Sequence, residues 1–220
     1  MKLLSILQAR TVAFLEVDEL FTRHHVLGPD FAPQIAERYG FLKTPERLED
    51  FLEEQKGIQF AFGRWEGTVI NQLALYAHGI AVETSASTDI SEKILYDVLG
   101  WGANTLNVNY HQDMIKRKAY VSGLLFSTDV PLNALHPKLR GIGERLSSSV
   151  ANSLGHVFPY EVTGVFFGYD TTHTKPNAPI FTIERRADIP FAESKYFSTA
   201  PLPTNEHLKL LKDFEAALKD

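Results

Sequence analysis

The chain reads as an α+β fold, a mostly antiparallel sheet with helices packed on one side. Three observations predict this. Apolar residues switch several times between twofold and helical spacing. Three strand-like runs between Ile58 and Thr84 follow one another through tight turns, which makes an antiparallel meander. The order strand, helix, meander, helix is then followed by strand, helix, hairpin, helix. Residues 9–104 and 114–219 therefore share one plan. Two small domains or one continuous sheet would both satisfy that plan. A single domain over residues 1–220 is the preferred reading, because either half alone has few strands and an exposed edge.

Taken in order, Thr11–Leu20 alternates as a strand, with Ala13, Leu15 and Val17 on one side. Met1–Gln8 fits a short helix or a preceding strand equally well. Gly28-Pro29 breaks the chain, Asp30 offers a cap, and Ile35 and Tyr39 mark a short helix ended by Gly40. Thr44-Pro45 opens a second helix with Leu48, Phe51 and Leu52 inward and an acidic outer face, stopped by Gly57. The meander turns at Glu66-Gly67 and at His78-Gly79. Thr88-Asp89 with Glu92 resembles a capping box for a helix that buries Ile90, Ile94, Leu95 and Val98 and finishes at Gly100 and Gly102.

A polar connection leads to the strand Tyr120–Ser127, in which both faces carry apolar side chains. His136-Pro137 then starts the longest amphipathic helix. Proline in a first turn loses no hydrogen bond, Leu139, Ile142, Leu146 and Val150 recur at helical spacing, and Gly155 closes the end. The expectation is that Leu139, Ile142 and Leu146 are core positions, so that truncating Leu146 removes buried contacts. Tyr160–Tyr169 and Ile180–Arg186 form a hairpin across a long polar turn. Residues 187–203 hold three prolines together with Phe191, Tyr196 and Phe197, and read as an ordered loop, too aromatic for a linker. Thr204 caps a last helix lined by Leu208, Leu211, Phe214 and Leu218.

Composition bounds the function. A chain of 220 residues with 44% apolar and 22% charged residues can bury one good core. Having no cysteine removes disulfide frameworks, thiol catalysis and thiolate zinc sites, and fits the cytoplasm. No apolar run is long enough to span a bilayer, and the first residues lack a secretory pattern. Residues 1–110 carry 9 basic and 15 acidic side chains, residues 111–220 carry 13 and 12. That balance argues against broad nucleic-acid binding, which needs several phosphates neutralised together. The densest basic cluster, Lys116-Arg117-Lys118, reads as a solvated strand end.

Three polar places could hold chemistry: His24-His25 with Asp30, His111-Gln112-Asp113, and the turn from Asp170 through His173 to Lys175. None has spacing that fixes two ligands on one metal, so neither a metal site nor a cofactor is expected. Ser147-Ser148-Ser149 lacks the strand-to-helix elbow of a nucleophile, and Gly141-Ile142-Gly143 lies inside a helix and not in a phosphate loop. Two functions of different class result. One is a non-catalytic interaction or assembly subunit. It would bind a protein partner or a second copy through an exposed sheet face and an aromatic loop, with Phe191, Tyr196 and Phe197 as contact residues. The other is a hydrolase-like enzyme built from His24, His25, His111, Asp170 and His173.

Overall fold

A computed structural model describes residues 1–20, 28–52, 57–106, 108–170, 172 and 179–219, without the side chains of Val17, Asp18, Leu52 and Asn133. It shows an α+β fold, an eight-stranded sheet in the order β2-β3-β4-β1-β5-β8-β7-β6 with helices packed against it. The strands are β1 (Lys2–Phe14), β2 (Ile58–Trp65), β3 (Thr68–Tyr76), β4 (Gly79–Thr84), β5 (Arg117–Ser127), β6 (Gly164–Phe167), β7 (Phe181–Arg185) and β8 (Lys195–Ala200). Every pairing with a described register is antiparallel. The helices are α1 (Val17–Leu20), α2 (Gly28–Tyr39), α3 (Leu48–Leu52), α4 (Thr88–Thr105), α5 (Pro137–Leu154) and α6 (Thr204–Ala217).

Two compact units are present. The amino-terminal unit comprises Ile6–Ser122 and Pro201–Thr204; the carboxy-terminal unit comprises Met1–Ser5, Gly123–Ala200 and Asn205–Asp220.

In the amino-terminal unit the meander forms as its turns dictate. Glu66 and Gly67 both take positive φ, the geometry a two-residue hairpin needs to match strand twist. Ala9, Thr11 and Ala13 of β1 alternate inward and pair with Thr84, Val82 and Ile80 of β4. Leu15, Phe31, Ile35, Phe60, Leu73 and Leu95 belong to one buried cluster over the sheet. Its opposite side is polar: Gln8 donates to Glu83, Arg10 to Tyr76, and Gln72 to Gln59. Arg38 of α2 meets Asp97 of α4 through two hydrogen bonds of 3.0 and 2.9 Å, and the Tyr39 hydroxyl donates to the same carboxylate at 2.6 Å. Burial first, and then that anionic neighbour, raise the Tyr39 hydroxyl above its ordinary range.

Several expectations need correction here. The first strand is Lys2–Phe14, and Val17–Leu20 is a helical turn. Helix α4 is capped by Ser87, whose hydroxyl accepts the Ile90 N–H, one residue before the expected start. It also continues past Gly100 and Gly102 to Thr105. Gly102 lies in its interior, where Val108 folds back to 3.6 Å from the position its Cβ would take. Thr204 does not serve its own helix in the simple way expected. Its hydroxyl accepts from the Thr88 N–H, and its N–H donates to the Thr88 hydroxyl, a reciprocal buried pair.

The carboxy-terminal unit centres on Tyr196 of β8, fully buried, with Phe126 at 5.7 Å between ring centroids. Ile183, Leu211 and Leu218 are buried with it. His207 and Ser198 form a hydrogen bond of 2.8 Å inside this core, and the Ser198 hydroxyl donates to the Thr182 carbonyl at 2.6 Å. A second correction concerns residues 187–203, expected to be an irregular loop. They contain the strand β8, so the sheet has one strand more than the spacing of apolar runs suggests. Its neighbours Pro190, Pro201 and Pro203 lie outside the paired residues, where the lack of an N–H costs no ladder bond.

Candidate interaction surface

The surface builds up from α5. His136 accepts the Lys138 N–H on its Nδ1, Pro137 occupies the first helical position, and Gly155 ends the helix at φ 69°. Start, stop and period therefore agree with the sequence. Its environment does not: no residue of α5 is buried, and Leu139, Ile142 and Leu146 are 40%, 51% and 44% exposed. The expectation that these three are core positions is overturned. Periodicity identified the apolar face of the helix, but among the described residues that face is left about half exposed.

What α5 does touch is the chain that follows it. The Tyr160 carbonyl oxygen lies 2.5 Å from where a Cβ on Gly143 would stand, so only glycine admits this approach. Ser147 accepts the Tyr160 N–H at 2.8 Å and donates to the Gly143 carbonyl at 2.8 Å. These small residues anchor the segment that leads into β6 and have no geometry for a nucleophile. Beyond them Leu154, Val157 and Phe158 are exposed, as are Phe166 and Phe167 of β6.

The aromatic residues expected to contact a partner divide. Tyr196 points inward, and its hydroxyl accepts the Leu132 N–H at 3.4 Å, so it has no surface to present. Phe191 is half-buried beneath the Arg185 guanidinium at 4.0 Å, and Phe197 is half-buried near Arg186. Exposure of α5 and β6 was missed because local spacing reports amphipathicity and not cover.

Of the polar residues weighed for catalysis, His24, His25 and His173 lie outside the described residues. His111 is exposed at the start of a short turn of helix. Asp170 is exposed and accepts from the Thr172 hydroxyl and N–H, which hold its carboxyl below the ordinary range. Among the described residues no three His, Asp or Glu side chains are grouped to hold a metal. Nor, among the same residues, is any helix long and apolar enough to cross a membrane. A cleft of about 460 Å³ in the amino-terminal unit is walled by Pro29, Pro33, Pro45, Ala32 and Ala36, with Glu46 the one charged group among its described residues. One polar cluster joins Glu92 to Lys118 at 2.5 Å and to the Tyr120 hydroxyl at 3.0 Å. Burial pushes the Glu92 carboxyl up, but Lys118 and Tyr120 outweigh it and leave it below its ordinary value.

No known protein-family model matches this chain, and no curated protein matches its sequence.

Proposed function

We propose that this chain is a non-catalytic interaction or assembly subunit, acting in the cytoplasm through the apolar surface of its carboxy-terminal unit. One observation carries the reading: an 18-residue amphipathic helix buries none of its residues and exposes Leu139, Ile142 and Leu146. An apolar stripe of that length left in water forgoes the burial that normally stabilises a surface helix, and such patches mark contact sites. The half-buried rings of Phe191 and Phe197 supply further contact points.

Photo-crosslinking in the source cells tests the proposal. A benzophenone side chain at Ile142 should give an adduct of discrete mass, while the same probe at the exposed Val69 of the amino-terminal unit should give none. Equal yields at both positions, or no adduct from Ile142, would remove the reading.

A further inference from the structure

We infer that the occupant of this surface is a second copy of the same chain, joined across a twofold axis through the free edge of β6 and the exposed apolar face of α5. This rests on the association reading above and names its partner.

The two terminal strands of the sheet are treated differently. On β2, Phe62 takes φ 59° and interrupts the run, and Lys43 exchanges two backbone hydrogen bonds with Ala61, so another segment already covers part of that edge. Bulged, covered and Lys-bearing edges are the devices that discourage pairing with another chain. Among the described residues β6 has one strand neighbour, β7, and is neither bulged nor covered; its length of four residues is the one restraint on pairing that it carries. It reads Gly-Val-Phe-Phe, without charge or proline, and Phe166 and Phe167 are 59% and 55% exposed.

A neutral edge strand is complementary to its own copy. Antiparallel pairing about a twofold axis matches N–H to C=O in both directions, and β6 opposes no like charges when it does so. The area fits as well. Among the described residues, twelve of the twenty large exposed apolar side chains fall between Leu135 and Ile180. At about half exposure and at most ~200 Å² for the largest of them, they present together no more than roughly 1,000 Å². A stable interface takes about 800 Å² from each partner. A lipid surface fits less well, because the free edge of β6 would leave its backbone polar groups unpaired in hydrocarbon.

Sedimentation equilibrium of the full chain from micromolar concentration upward is the test, with Phe166→Lys and Ile142→Lys as variants. The parent should sediment at twice the chain mass, and each variant should dissociate with a Kd raised at least tenfold. Both sites are exposed, so urea midpoints at dilution should stay at the parental value and show that the variants fold; Val69→Lys is the silent control. A parent at single-chain mass throughout, or a dimer indifferent to both variants, overturns the inference. If the Ile142 crosslink then has the mass of a different protein, self-pairing fails while the association reading stands. Binding of the monomeric chain to anionic phospholipid vesicles without any protein adduct overturns both.

Discussion

Two glycines in α5 differ only in what faces them. Gly141 has nothing within 4 Å of its absent Cβ, whereas at Gly143 that position is 2.5 Å from the Tyr160 carbonyl oxygen. Gly141→Ala should therefore stabilise the chain by up to about 1 kcal/mol through helix propensity alone. Gly143→Ala should lower the urea midpoint, because backbone must move; equal midpoints for the two would show that the Tyr160 segment does not hold α5. Carboxylates make a second test. Glu215 accepts from the Met1 ammonium at 2.6 Å and from the Thr128 hydroxyl; burial pushes its pKa up, but these donors prevail and lower it, as Lys118 and Tyr120 do for Glu92. A pKa lowered in the folded state stabilises at pH above the ordinary value of 4.5, and that stability disappears as pH falls through the folded value. Melting between neutral pH and pH 3 should show this loss, and Glu92→Gln with Glu215→Gln should flatten it. Glu92 also marks a limit of sequence reading: its spacing from Asp89 suggested a cap, but its partners Lys118 and Tyr120 lie 26 and 28 residues away, beyond any local pattern.

At the scale of elements, the meander β2-β3-β4 was legible because its turn residues and its twofold alternation say the same thing. Strand β8 was not, since prolines on both sides of a short run imitate a loop, and only its place in the sheet between β5 and β7 reveals it. Helix α5 was legible in its limits and illegible in its surroundings. The contrast with α4 is quantitative. Leu95 is fully buried beneath the amino-terminal sheet, so Leu95→Ala should cost about 2–5 kcal/mol. Leu146→Ala removes a side chain that is 44% exposed, and at concentrations too low for association its cost should stay below about 1 kcal/mol. Chemical denaturation of the two variants decides this, and a Leu146 effect as large as that of Leu95 would show α5 covered within the single chain.

For the whole molecule, the two units divide the work between burial and display. The amino-terminal unit holds one buried cluster whose members run from Ala13 to Leu99, and among the described residues most of the exposed large apolar side chains belong to the carboxy-terminal unit. Local opening should follow that division, because amides exchange slowly where backbone hydrogen bonds are covered by buried side chains. Hydrogen exchange at low concentration should find α4, β3 and β4 most protected, and α5 the least protected of the long helices. Raising the concentration should slow exchange in α5 and β6 and leave α4 unchanged, since a partner that binds only the folded surface adds stabilisation set by its concentration relative to Kd. The two units are thereby separated by one measurement. Protection in α5 that equals that of α4 at the lowest concentration would mean that its apolar stripe is already covered in the single chain, and the surface would then have no need of a partner.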